Sequence, residues 1–148
     1  MTACRSTLTD ALSSVTEAFL SNPANFSDER AFASAVRYQL NARLSPATIG
    51  SCMVTESSGA RGSIPDHDRY TQRYAQLSQL DCAHCEVGGP AFPFADTERL
   101  DLGVFADDVS IQIANGTQVF EPADLTAAVE FKYIKNTNYL RYRPDDYH

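Results

Sequence analysis

Seven consecutive residues constrain this chain more than any others: Val129-Glu130-Phe131-Lys132-Tyr133-Ile134-Lys135. Side chains two apart on a strand share a face, so Val129, Phe131 and Tyr133 turn one way. Glu130, Lys132 and Ile134 turn the other. A strand read over Ala127 to Lys135 therefore holds an acid and a base side by side, as a reaction centre or as a solvated ion pair.

The elements before it come in a definite order. Leu8, Leu12, Val15 and Phe19 recur at helical spacing, which predicts a helix over residues 7–20 ended by Asn22-Pro23. Phe32, Val36, Leu40 and Leu44 form a second stripe. Ser27 suits its N-cap, Asp28 and Glu29 its first turn, and Ser45-Pro46 its end. Ile49 to Thr55 reads as a short strand.

Turn residues dominate residues 56–97, which read as a loop-rich insertion with one short helix around Tyr70 to Leu80. Order returns with a strand at Leu100 to Phe105, a turn at Asp107-Asp108 and a strand at Val109 to Ala114. Asn115-Gly116 is a two-residue hairpin signal leading into Thr117 to Phe120, and Pro122 breaks that strand. The expected fold is a single α+β domain, three-layer and α/β/α-like, with a mixed, largely antiparallel sheet flanked by helices. Residues 1–25 supply an N-terminal helix, and residues 26–55 with 98–148 the core.

Composition bears on the partner. Net charge is −7, which argues against a broadly basic surface for nucleic acid. There are only two lysines, Lys132 and Lys135, against ten arginines. Abundant acid with scarce lysine is the pattern expected of a halophile, whose salty interior screens like charges. No apolar run approaches a membrane span and no secretory signal is apparent, so a cytoplasmic home without membrane contact is expected. Of the four cysteines, Cys82 and Cys85 have a metal-knuckle spacing, with Cys52 and His67 the only nearby partners. That spacing admits a Zn²⁺ site, and equally admits free thiols.

Aspartate is depleted inside strands, so Asp101 between Leu100 and Leu102 needs a reason. If its strand lies beside that of Glu130, the two carboxylates repel unless a cation separates them. Mg²⁺ suits one or two carboxylates plus water and phosphate. Lys132 then stands where charge would develop on a phosphate.

Asp101, 28 intervening residues and then Glu130-Phe131-Lys132 resemble the D…E-x-K signature of the PD-(D/E)XK nuclease superfamily. Arg99-Leu100-Asp101-Leu102 resembles the family's strand around its metal-binding aspartate, and Ser27-Asp28-Glu29-Arg30 the start of its first core helix. The resemblance implies a restriction-endonuclease-like fold and cleavage of DNA with Mg²⁺ or Mn²⁺. It implies that Asp101, Glu130 and the Phe131 carbonyl hold the metal, that Lys132 orients or activates the attacking water, and that Glu29 is an auxiliary acid. Lys135, Arg141 and Arg143, interleaved with tyrosines, would contact the nucleic acid.

The family's proline before the aspartate is absent, and its fold continues past E-x-K with another helix and strand. A chain ending at His148 is then expected to be a shortened member, or one whose sheet is completed in a homodimer. Two other readings stand beside the nuclease: a catalytically inactive nucleic-acid-binding or assembly module of the same fold, and a small zinc-stabilised interaction protein.

Overall fold

A computed structural model of the chain describes residues 2–55, 79–89, 91–93, 98–114 and 117–132. It is an α+β structure of two helices and two sheets. Helices α1 (Thr2–Ser21) and α2 (Glu29–Arg43) come first. Strands β1 (Ala47–Thr55), β2 (Gln79–Leu80), β3 (Ala83–Val87), β4 (Leu100–Phe105), β5 (Asp108–Ala114), β6 (Thr117–Phe120) and β7 (Leu125–Val129) follow.

The single sheet expected from the sequence is divided in two. One has four strands in the order β2-β1-β5-β6, with β1 and β5 parallel and the other pairs antiparallel. The other is antiparallel, β3-β4-β7. Successive strands β4 and β5 thus belong to different sheets. The corner between them is tied by three bonds: Phe105 N–H to the Cys82 carbonyl (2.8 Å), Ala106 N–H to the Asp124 carbonyl (2.8 Å) and Thr48 N–H to the Asp107 carbonyl (2.6 Å).

Two apolar cores hold three layers together. Ala47, Phe105, Val109, Ile111 and Phe120 join the two sheets face to face, with Ile49 and Cys52 against them. Ile49 and Cys52 are three apart yet share this face, because a register shift in β1 falls between Ile49 and Ser51. Gly50 occupies that shift, and a Cβ there would collide with the Asp108 carboxylate. The second core packs Ala11, Val15, Val36 and Leu40 of the helices onto Ala83, Leu102 and Val104. The layer order is helices, three-stranded sheet, four-stranded sheet. The described residues form the layers α/β/β, and among them no helix covers the outer face of the four-stranded sheet.

Both helical stripes bury as the periodicity requires, with Val36 and Leu40 fully inside. The predicted cap of α2 shifts by one residue: Asp28, not Ser27, accepts the Ala31 N–H at 2.9 Å. Either oxygen can cap, and the carboxylate adds attraction to the helix dipole.

The loop-rich insertion is also corrected, because Gln79–Leu80 and Ala83–Val87 are strands. β3 is integral to the core. Asn41 brackets Ala83 with two hydrogen bonds, Nδ2 to its carbonyl (3.0 Å) and its N–H to Oδ1 (2.9 Å), so α2 covers this edge of the sheet. Residues 70–78 of the predicted short helix lie outside the described residues, and Gln79 and Leu80 are extended. The Asn115-Gly116 loop also lies outside them, but Ala114 faces Thr117 across β5 and β6, the register a two-residue loop requires. No helix among the described residues is long and apolar enough to cross a membrane.

Candidate active site

β4 is the central strand of the three-stranded sheet, and Asp101 is its second residue. The register pairs Cys85 with Leu102 and Val87 with Leu100, so Glu86 of β3 flanks Asp101 on one side. Leu102 pairs with Val129, which brings Glu130, the residue after β7, to its other side. Two strands remote in sequence are neighbours, as the carboxylate argument anticipated.

The strand carrying Glu130 differs from expectation. β7 begins two residues earlier than predicted, at Leu125, and ends at Val129, so Glu130, Phe131 and Lys132 lie past its last paired residue. The alternation nevertheless continues: Val129 and Phe131 pack against the helix-side core, while Glu130 and Lys132 are exposed. What ends the ladder is Asp101 itself. Its Oδ2 accepts the Phe131 N–H at 2.7 Å, taking the bond that a strand carbonyl would otherwise receive.

Phe131 is held on its other side by aromatic packing. Its ring lies 5.3 Å from Phe32 of α2, and Phe32 in turn contacts Phe26 (5.8 Å) and Phe19 (6.1 Å). Glu29 precedes Phe32 by three residues and so lies on the same side of α2. The cluster that anchors Phe131 therefore draws the first turn of α2 towards Glu130.

Electrostatics carry the same arrangement. Partial desolvation of an otherwise exposed side chain, then the Asp101 carboxylate beside it, and more weakly Glu29, raise the Glu130 carboxyl above its ordinary value of 4.5. The register places the Glu130 carboxyl beside that of Asp101, whose charge opposes ionisation of Glu130.

Across Asp101 from Glu130, the sheet is irregular. Cys85 and Leu102 face the helices, whereas Val87 and Leu100 belong to the core between the sheets. Glu86, between Cys85 and Val87, has φ of 55°, a left-handed conformation rare outside glycine. Such strain persists where the surroundings over-determine it. A cleft of about 240 Å³ opens here, lined by Glu29, Arg30, Ala33, Ser34, Cys85, Glu86 and Asp101. Arg30 Nε lies 3.7 Å from Glu86 Oε1 at its rim.

Glu86, Arg30 and Ser34 carry no sequence signal for this cleft. Glu86 reaches it through β3, inside the stretch whose turn residues mask a strand. Arg30 and Ser34, four apart, lie on the side of α2 that bears Glu29 and Ala33.

The thiols do not converge. Cys82 belongs to the core between the sheets and its Sγ–H donates to the Ser45 carbonyl at 2.9 Å, whereas Cys85 packs on the helix side of β3. Burial raises both thiols above the ordinary cysteine value. His84 is on β3; its Nε2 meets the Asp81 carbonyl at 2.7 Å and its ring packs 4.9 Å from Phe120. His67, Lys135, Arg141 and Arg143 lie outside the described residues.

Among the described residues no three His, Cys, Asp or Glu side chains are arranged to hold a metal ion together. Asp101 and Glu130 still fit a hard divalent cation, since both are oxygen donors and their mutual repulsion is what such an ion relieves. Comparison with protein-family models, with curated proteins and with solved structures finds no match in any of the three.

Proposed function

We propose that the protein hydrolyses phosphodiester bonds of DNA at Asp101, Glu130 and Lys132 with a bound divalent cation, Mg²⁺ or Mn²⁺. The observation that carries this reading is the approach of the Asp101 and Glu130 carboxyls on adjoining strands, with Asp101 of β4 opposite the end of β7. Opposed carboxylates weaken a fold unless they are used, which makes their pairing here a functional signal.

A cation at this pair would polarise the phosphate and lower the pKa of a bound water. The protein's own groups have separate parts. Asp101 is oriented by the Phe131 N–H, which donates to its Oδ2. Glu130 would supply a second carboxylate oxygen to the cation. Lys132, on the same side of the alternation as Glu130, orients the attacking water and meets charge building on the phosphate. Glu29, on the first turn of α2, reinforces the acidic field that draws the cation. The Phe131 carbonyl is the third oxygen this reading assigns to the ion.

The test is incubation of the full chain with plasmid and single-stranded DNA in low and molar salt, with Mg²⁺ or Mn²⁺. Cleavage by the wild type that is lost in Asp101→Ala, Glu130→Ala and Lys132→Ala is the expected result. No cleavage under any of these conditions, with DNA binding intact, would replace the nuclease by a binding module.

A further inference from the structure

Among the described residues that line the cleft beside Asp101, Arg30 is the one basic side chain. Its side chain is 84% exposed, and among the described residues its ion-pair contact is a loose one to Glu86, itself 55% exposed. At about 240 Å³ the cleft is smaller than the usual range for drug-sized ligands, roughly 300–1,000 Å³, and suits a single phosphate group with its water.

We propose that Arg30 is the binding residue for a nucleic-acid backbone phosphate, and that Glu86 holds the guanidinium until that phosphate arrives. This rests on the phosphodiester reading above and names the group that seats the substrate there. A guanidinium presents a planar fork of donors that matches a carboxylate or a phosphate equally well, so one can replace the other without moving the helix. Glu86 is suited to the holding part because it stands on β3 between Cys85 and Val87, whose register partners Leu102 and Leu100 flank Asp101.

The charges explain why the exchange is conditional. Glu29, Glu86 and Asp101 line the cleft with Arg30, an excess of negative charge that rejects a phosphate. Once the charge of Asp101 and Glu130 is neutralised, the balance favours the anion, and Arg30 exchanges a carboxylate for a phosphate oxygen. An exposed ion pair is worth only about 0–1 kcal/mol, so Glu86 competes without trapping Arg30. The two partners therefore have opposite effects on binding. That opposition separates this role from a structural salt bridge, in which losing either partner has the same consequence.

The experiment measures binding of a fluorescent duplex by the full chain in Ca²⁺ across a salt series, and KM and kcat for cleavage in Mg²⁺. Arg30→Ala is expected to weaken binding about tenfold, the scale of one charge-assisted contact, and to reduce the steepness of log K against log salt by about one. Arg30→Lys recovers part of the affinity. Glu86→Gln tightens binding by up to about fivefold, the most an exposed pair withholds. Arg43→Ala, the same charge change at the far end of α2, controls for overall charge.

Equal effects of Arg30→Ala and Arg43→Ala would overturn the proposal, as would weaker binding in Glu86→Gln. Wild type that cleaves, with KM unchanged in Arg30→Ala, removes this inference and leaves the nuclease. Wild type that binds DNA, responds to Arg30 and Glu86 as expected, but never cleaves removes the nuclease reading and keeps the phosphate site. A wild type that binds no DNA overturns both.

Discussion

Replacing Asp101 separates its two jobs, accepting a hydrogen bond and repelling Glu130. Asp101→Ala removes the 2.7 Å bond from the Phe131 N–H. Bonds to charged groups contribute about 1.5–3 kcal/mol, and partial exposure places this one at the low end. The same substitution relieves the repulsion on Glu130, which for a partly exposed pair is worth about 0–1 kcal/mol. The net cost is about 1 kcal/mol, a drop of about 2–4 °C in melting temperature for a chain of this length. Asp101→Asn keeps an oxygen acceptor and also removes the charge, so its losses and gains nearly cancel, and its melting point stays within about 2 °C of wild type. Both variants lose cleavage. Thermal denaturation by circular dichroism in a chelator checks the stability half, and plasmid cleavage the rest. Asp101→Asn falling as far as Asp101→Ala, or Asp101→Ala leaving the melting point untouched, would refute the geometry around Phe131.

Three further outcomes follow from the same structure. Glu130 is raised in the folded chain, so the fold holds more protons than the unfolded chain just above pH 4.5; wild-type stability falls as pH rises through that window, and Glu130→Gln removes the fall, as denaturant titrations in chelator at stepped pH would record. Phe32→Ala empties a half-buried place between Phe26 and Phe131 and is expected to cost about 2 kcal/mol, roughly half the loss at a fully buried site, with cleavage falling alongside; full stability by urea titration would contradict the anchoring role. If the scarcity of lysine reflects a saline interior, unfolding in dilute buffer occurs at a lower temperature than in molar KCl, and equal melting points would dismiss that reading.

Local features were the most legible from sequence. The stripe of Val36 and Leu40, the break at Asn22-Pro23 and the register of β5 with β6 depend on neighbours within a few residues, and periodicity reports them. The neighbouring of Asp101 and Glu130 was legible for a different reason: a carboxylate inside a strand has few stable environments, so its presence implied a partner. The division into two sheets was not legible. It depends on the corner at Phe105–Thr48, where backbone bonds between remote segments decide which strand pairs with which. β3 was hidden because Ala83, His84, Cys85 and Glu86 carry weak strand preference and owe their conformation to Asn41 and β4. The cleft beside Asp101 was hidden for the same reason: Glu86 reaches it only through that strand.

The pairing of Asp101 and Glu130 as a cation site is tested most directly by calorimetric titration of the full chain with Mn²⁺. One ion bound per chain is predicted, with binding lost in Asp101→Asn/Glu130→Gln. An isotherm identical in wild type and the double variant, or no binding by the wild type, would contradict it.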